Sequence, residues 1–311
     1  MITGPIRAPF SASEVTILDG GLATELERRG NDLSDPLWSA RLLIEAPDEI
    51  VAAHQAYFRA GARVATTASY QASFDGFAAR GIDRAAATAL FIRSVELAAE
   101  GRRRHRAATA QGDGRLLVAA SVGPYGAMLA DGSEYHGDYG LSVAELAAWH
   151  KPRLAVLAAS GADLLAIETI PSLDEGRALV ELLTTSTGPP TWLSFTCADG
   201  TRTRHGEPVE AAFALAEATD RIVAVGINCT APEHAEELVG RARSVTDKAI
   251  VVYPNSGERW DARTRRWTGQ VGASVDPASA RRWVAAGARA VGGCCRVGPD
   301  RITELAEASL G

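Results

Sequence analysis

The sequence predicts a (β/α)8 barrel, and three features of the chain support this fold. Eight short, almost uninterrupted apolar runs recur along its 311 residues, as is typical of parallel strands that are covered on both faces. Stretches with helical spacing separate these runs, and a glycine stands at several of the helix-to-strand joints. Eight βα units in a chain of about 250 to 400 residues favour the barrel, and a doubly wound parallel sheet is the alternative.

The predicted strands follow one another as βα units. In chain order they are VTILDG, VATTASY, LLVAASVGP, LLAIET, TWLSFT, IVAVGIN, AIVVYPN and ARAVGGCC. A clear helical stretch, RAAATALFIRSVELAAEGRRR, lies between the second and the third run. Gly61, Gly161 and Gly287 each stand where a helix ends and a strand begins. Glycine is favoured there because it accepts the left-handed conformation that ends many helices.

A single domain spanning 1–311 is the simplest account of these units. With 46% hydrophobic residues the chain can bury a core of barrel size, and no Pro- or Ser-rich linker divides it. The first residues lack the apolar segment of a secretory signal, and no later run reaches the ~20 apolar residues that cross a bilayer. The net charge of -6 offers no basic surface to nucleic acid. We therefore expect a cytoplasmic protein that binds neither membranes nor nucleic acids.

Polar residues close most of the predicted strands. In a (β/α)8 barrel the active site forms at the C-terminal ends of the strands, so polar side chains at these positions converge on one mouth. The residues concerned are Asp19, Thr67, Ser69, Glu168, Thr196, Asn228 and Asn255. We expect an active site among them.

Three of the four cysteines belong to the same end of the predicted barrel. Cys229 follows the sixth strand, and Cys294 and Cys295 follow the eighth. A disulfide framework is not expected in a reducing cytosol. Three thiolates at about 2.3 Å hold Zn²⁺ at three corners of a tetrahedron, and an open fourth corner is typical of a catalytic site. The spacing therefore predicts a catalytic zinc site.

Other interpretations of the cysteines remain open on spacing alone. Adjacent Cys294 and Cys295 can bind one ion if the chain turns sharply, which the preceding glycines permit, but the pair also fits a redox-active dithiol or two buried thiols. Cys197 ends the fifth strand and would close the zinc site as a fourth ligand. We expect it to stay outside, because it begins a loop.

The longer motifs around the strand ends point to one family. They are LDGGLATELERRG, TASYQAS, SVGPYGAMLADGSEYHGDYG, ETIPS, GINCT, VVYPNSGE and GGCCR. Along nearly the whole chain they resemble the homocysteine S-methyltransferases, above all the stand-alone enzymes that make methionine with S-methylmethionine or S-adenosylmethionine as donor. The resemblance implies Zn²⁺ bound by Cys229, Cys294 and Cys295, and a homocysteine ammonium held by Glu168 and Asp19. Cys197 matches no ligand of the family.

Their positions at the strand ends also suggest roles for the other polar residues. We expect Thr67 and Ser69 to contact the substrate carboxylate, and Asn228 and Asn255 to bind substrate as well. Each has a structural alternative: Asp19 can cap the helix that follows it, Glu168 can lie at the surface before a helix capped by Ser172, and the asparagines can brace loops.

The chemistry of methyl transfer to sulfur agrees with such a site. A free thiol with a pKa of about 8.5 is mostly protonated near neutral pH, and a metal ion deprotonates it. A sulfonium donor loses its positive charge as the methyl group leaves, so a negative, water-poor cavity favours its approach. Loop aromatics can hold this cation or simply pack over the barrel. These candidates are Tyr125, Tyr135, Tyr139, Trp260 and Trp267.

Alternatives to a sulfonium donor are less consistent with the sequence. In betaine-dependent relatives an aromatic residue follows the strand-four glutamate, whereas Thr169 stands here. We do not expect a cobalamin-dependent enzyme, because little sequence follows the eighth strand. An alternative of another class is a non-catalytic barrel that binds a sulfur amino acid beside a structural zinc.

Overall fold

Eight parallel strands form one sheet that curves into a barrel in the computed structural model of the chain. The structure describes residues 10, 14–33, 37, 39–109, 114–261, 266–268, 275–308 and 310, with backbone alone for 259–261 and 266–268. The strands are β1 Thr16–Ile17, β2 Val64–Thr66, β3 Leu117–Val122, β4 Leu164–Ile170, β5 Thr191–Phe195, β6 Ile222–Asn228, β7 Ala249–Tyr253 and β8 Ala288–Val291. All eight predicted strands are confirmed.

The barrel closes between its first and last strands. Successive strands pair in parallel from β2 to β8, and β8 pairs with β1, where Thr16 lies opposite Ala290. A parallel bridge between Leu18 and Val64 joins β1 to β2, and the Asp19 N–H donates to the Val64 carbonyl oxygen at 3.1 Å. This closed order confirms the (β/α)8 barrel and excludes the doubly wound sheet.

Helices surround the barrel and fill its connections. They are α1 Leu22–Arg28, α2 Ser39–Glu45, α3 Pro47–Arg59, α4 Phe74–Ala78, α5 Arg84–Ala108, α6 Tyr125–Leu129, α7 Val143–Ala158, α8 Leu173–Thr185, α9 Val209–Ala214, α10 Ala235–Arg243, α11 Pro277–Ala286 and α12 Pro299–Glu307. Short 3-10 turns cover Ser133–Tyr135, Leu215–Ala218 and Pro232–His234. No helix among the described residues combines the length and the apolarity needed to cross a membrane.

Local sequence explains where these helices begin and end. The side chains of Ser73, Asp83, Ser142, Ser172 and Asp276 each accept a hydrogen bond from the first turn of the helix that follows, as helix-capping residues do. The three joint glycines have positive φ angles of 99° at Gly61, 84° at Gly161 and 125° at Gly287. The predicted left-handed helix ends are confirmed.

The connection after β7 differs from a simple βα unit. Arg259–Asp261 and Arg266–Thr268 form an antiparallel hairpin ahead of α11. This hairpin was not predicted from the sequence, because two strands of three residues give too short an alternation to detect. The side chains of Trp260 and Trp267 lie outside the described part of the structure.

The barrel interior is packed with side chains. Small and branched residues fill it together with Trp192, which is fully buried. The indole N–H of Trp192 donates to the Tyr253 hydroxyl at 2.8 Å, and the Tyr253 hydroxyl is hydrogen-bonded to Glu168. This layer of side chains supports the polar residues at the strand ends.

Candidate active site

A cavity of about 460 Å³ opens at the C-terminal ends of the strands. Residues from the ends of β1, β2, β4, β6 and β8 line it, together with the loops that follow β1 and β3. Of the residues predicted from the sequence, the wall contains Asp19, Thr67, Glu168, Cys229, Cys294 and Cys295. The strand ends therefore bring the predicted sulfurs and acids into one cavity.

The sulfur atoms of Cys229, Cys294 and Cys295 all lie within 4.8 Å of one another. The Sγ atoms of Cys229 and Cys295 are 3.5 Å apart. Sulfurs bound to one zinc at about 2.3 Å in tetrahedral geometry lie about 3.8 Å apart. The distance between Cys229 and Cys295 is close to this value, and three soft sulfur ligands suit Zn²⁺ once all three are thiolates.

Cys229 and Cys294 are joined as a disulfide in this structure. The expectation that these two cysteines are free thiols is therefore wrong for the state described. The physical reason is that the barrel places the ends of β6 and β8 side by side, and neighbouring thiols in such contact can pair by oxidation. Reduction of this bond is required before the three sulfurs can act as thiolates.

Tight backbone packing places the paired cysteines. A Cβ atom on Gly293 would lie 2.2 Å from the Val297 side chain, and one on Gly292 would lie 2.7 Å from the Asp19 carbonyl oxygen. Only glycine fits both positions, so the turn can carry Cys294 and Cys295 back over the barrel. At the other strand end Cys229 has a φ of 46°, a left-handed conformation uncommon outside glycine.

Cys197 does not belong to the sulfur group found among the described residues. Its thiol is buried, and its N–H donates to the Thr230 hydroxyl at 2.9 Å. Burial raises the pKa of this thiol to about 12. The structure thus places Cys197 within the loop packing after β5.

Asp19 and Glu168 are buried carboxyl groups on the cavity wall. Asp19 is 4% exposed and accepts hydrogen bonds from the Thr66 N–H at 2.7 Å and the Thr66 hydroxyl at 3.1 Å. Burial raises its pKa to about 8, and the charge of Glu168 contributes to the increase. Burial likewise raises the pKa of Glu168 to about 7, against hydrogen bonds from the Ser121 and Tyr253 hydroxyls. Two acids in this state favour a cationic ligand, which stabilises their ionised forms.

The other predicted polar residues are held by internal hydrogen bonds. Thr67 lines the cavity, but its hydroxyl oxygen accepts from the Ser121 N–H at 3.0 Å and lies 2.8 Å from the Ser69 hydroxyl oxygen. The Ser69 hydroxyl donates to the Ser121 carbonyl oxygen at 2.8 Å. Ser69, Asn228 and Asn255 are not among the residues of the described chain that line the cavity. Asn255 accepts from the Gly257 N–H at 2.9 Å.

Several cavity residues were not singled out from the sequence, notably Tyr70 and Glu134. Glu134 lies in the loop after β3, where no strand end or helical period identifies it. Of the predicted aromatic residues, Tyr135 lines the cavity. Tyr125 and Tyr139 pack against each other instead, with ring centroids 5.2 Å apart.

Together, the closed barrel, the sulfur cluster and the two buried acids define a barrel enzyme that acts at sulfur. The model of the homocysteine S-methyltransferase family matches residues 16–309, and the chain belongs to this family. The resemblance seen in the motifs is confirmed.

Similar proteins match nearly the whole chain. The homocysteine S-methyltransferase YbgG of Bacillus subtilis is 45% identical over 307 residues, which cover 97% of this chain and 96% of that protein. A homocysteine S-methyltransferase of Escherichia coli is 47% identical over 302 residues, covering 97% of each. The crystal structure of the metallated form of the Escherichia coli homocysteine methyltransferase MmuM superposes with a TM-score of 0.86 at 46% identity, covering 95% of this chain and 96% of that one.

Proposed function

We propose that this protein transfers a methyl group from a sulfonium donor, first of all S-methylmethionine, to the sulfur of homocysteine and so forms methionine. The observation that carries the proposal is the convergence of three cysteine sulfurs and two buried carboxyl groups on one cavity. The active unit in this proposal is the whole chain 1–311 as one homocysteine-binding barrel in the cytoplasm.

Cys229, Cys294 and Cys295 would hold the zinc ion. When bound, the ion would supply the positive charge that converts a substrate thiol into a nucleophilic thiolate near neutral pH. Without a metal ion, burial raises the pKa of the Cys295 thiol to about 12. The chemistry of this donor set, soft and sulfur-only, supports zinc.

Glu168 and Asp19 would hold the homocysteine ammonium. Both line the cavity, and burial has raised both pKa values. An ammonium group between them would form ion pairs in a place where water is scarce, and ion pairs are stronger there than in bulk water. This contact would orient the amino acid so that its sulfur faces the cysteines.

The transfer step needs no general base at the methyl group. The homocysteine sulfur forms a bond to the methyl carbon as the bond from that carbon to the sulfonium sulfur breaks. The bonding electron pair returns to the donor sulfur, which becomes a neutral thioether, and the thiol proton is released to solvent. The cavity contributes by placing the two sulfurs in line and by excluding water.

Methionine formation tests this proposal directly. The reduced protein with zinc should form methionine from homocysteine and S-methylmethionine, a chelator should abolish the reaction, and added zinc should restore it. Parallel assays with S-adenosylmethionine, betaine and methylcobalamin determine the donor. Binding of homocysteine without turnover with any donor would instead support a non-catalytic sulfur-amino-acid-binding barrel.

A further inference from the structure

A third buried acid lines the cavity, and one of its carboxylate oxygens has no hydrogen-bond partner among the described residues. Glu134 lies in the 3-10 turn Ser133–Tyr135 and is 7% exposed. Its Oε2 atom is buried and has no hydrogen-bond partner among the described residues. A buried carboxylate oxygen that lacks a hydrogen bond is costly, so this position favours a ligand that brings a positive charge.

The backbone packs tightly around Glu134. A Cβ atom on Gly126 would lie 2.4 Å from the backbone nitrogen of Glu134, so the turn can sit there only because residue 126 is glycine. Tyr125, which precedes Gly126 in α6, donates a hydrogen bond from its N–H to the Glu175 carboxylate at 2.6 Å. The loop that presents Glu134 is therefore anchored to α8.

The surroundings of Glu134 also suit a cation. Tyr70 lines the same cavity, and aromatic faces attract positive charge. Arg296, which lines the same cavity, pairs with Glu258 at 3.2 Å, and the Arg204 guanidinium lies over the Tyr135 ring at 5.7 Å. Glu134 lines the same cavity as the three clustered cysteines.

We propose that Glu134 binds the methyl donor, its carboxylate serving as the counter-charge of the sulfonium centre. This inference rests on the proposed function, since a sulfonium is the cation that must approach the cysteine sulfurs. Glu168 and Asp19 would then serve the acceptor amino acid, and Glu134 would select the donor. Because the sulfonium charge disappears during transfer, Glu134 would contribute to donor binding and not to the rate of the chemical step.

Steady-state kinetics of Glu134→Gln separate this role from others. The donor KM should rise about tenfold, as expected for the loss of one charge-assisted contact, while the homocysteine KM stays within about twofold and kcat does not fall. The matched variant Glu168→Gln should show the opposite pattern, with a raised homocysteine KM. An unchanged donor KM in Glu134→Gln, with active wild-type enzyme, would overturn the role of Glu134 and leave the proposed function intact.

Measurements of donor binding test the role of Glu134 without turnover. Calorimetry should compare S-methylmethionine with its uncharged isostere, in which a CH group replaces the sulfonium sulfur. The wild type should prefer the cation, and Glu134→Gln should lose about tenfold of that preference. If Glu134→Gln does not fold, Glu134→Asp replaces it. Its shorter side chain keeps the charge but holds it farther from the donor, so part of the preference for the cation should be lost. An equal preference in wild type and variant, or no binding of the sulfonium by wild type, would overturn the role of Glu134.

Discussion

The side-chain amide of Asn228 holds Thr169 at two points. Its Oδ1 accepts from the Thr169 N–H at 2.7 Å, and its Nδ2 donates to the Thr169 hydroxyl at 2.7 Å. Thr169 has a φ of 60°, which is strained for a β-branched residue by about 1 to 3 kcal/mol. Since Glu168 precedes Thr169 and Cys229 follows Asn228, this clamp fixes an acid of the cavity relative to a sulfur.

Removal of the clamp should destabilise the protein. Asn228→Ala deletes both hydrogen bonds to Thr169 and the one that Oδ1 accepts from the Ser194 hydroxyl at 2.8 Å, and it leaves buried partners unsatisfied. The free energy of unfolding should fall by about 3 kcal/mol, measured by urea denaturation of the reduced, metal-free protein. Asn255→Ala is the control and should cost about 1 kcal/mol. Equal losses of unfolding free energy in the two variants would show that the hydrogen bonds between Asn228 and Thr169 add no stability.

Zinc retention should depend on the three clustered sulfurs and not on the fourth cysteine. Cys229→Ala and Cys295→Ala should each lose bound zinc and methionine formation, because two thiolates hold zinc much less firmly than three. Cys197→Ala should keep both, since its sulfur lies outside the cluster. Metal analysis of the reduced proteins by mass spectrometry checks this. Zinc loss from Cys197→Ala equal to that from the other variants would refute the ligand assignment.

The Glu168 carboxylate should be required for affinity for homocysteine. Glu168→Gln keeps the shape of the side chain but removes the charge that would pair with the ammonium, so binding should weaken by roughly 1.5 to 3 kcal/mol. Titration calorimetry on the zinc-loaded protein measures this. Glu304→Gln, at a half-exposed position on α12, is the control and should bind as the wild type does. Unchanged affinity in Glu168→Gln would remove this residue from the site.

The contribution of Asp19 to the stability of the ligand-free protein should decrease as the pH rises. The pKa of Asp19 is raised from 3.8 to about 8, so folding favours the protonated acid. Its contribution is fully present below the unfolded pKa, decreases above it and is lost once the pH passes the folded pKa, with a slope of up to about 1.4 kcal/mol per pH unit.

The variant Asp19→Asn isolates this contribution. Urea denaturation between about pH 5 and about pH 8 should show a flatter pH dependence of the unfolding free energy in Asp19→Asn than in wild type. Parallel curves for the two proteins would mean that Asp19 is not desolvated as the structure shows.

The sequence was sufficient to predict the barrel, because the signals for each βα unit are local and repeated. Each apolar run and each joint glycine, such as Gly61, marks one βα unit without reference to the others. The same logic located Asp19, Glu168 and the cysteines, since residues at strand ends meet wherever the barrel closes. The strand-end rule places a residue at the mouth but does not tell whether its side chain faces the cavity or braces a neighbour, as Ser69 does.

Glu134 was not found from the sequence because its place depends on tertiary contacts. It lies in a loop without periodicity, and its position depends on a close approach to Gly126 and on anchoring through Glu175. The disulfide between Cys229 and Cys294 was missed for another reason: pairing depends on redox state as well as on proximity, and the sequence indicates only proximity.

X-ray absorption at the zinc edge tests the central claim most directly, namely that three cysteine sulfurs share one metal ion and leave a coordination position for the substrate. The reduced, zinc-loaded protein should show three sulfur neighbours at about 2.3 Å and one lighter atom. Addition of homocysteine should raise the number of sulfur neighbours to four. Four sulfur neighbours before homocysteine is added, or a sulfur count that homocysteine leaves unchanged, would contradict the account.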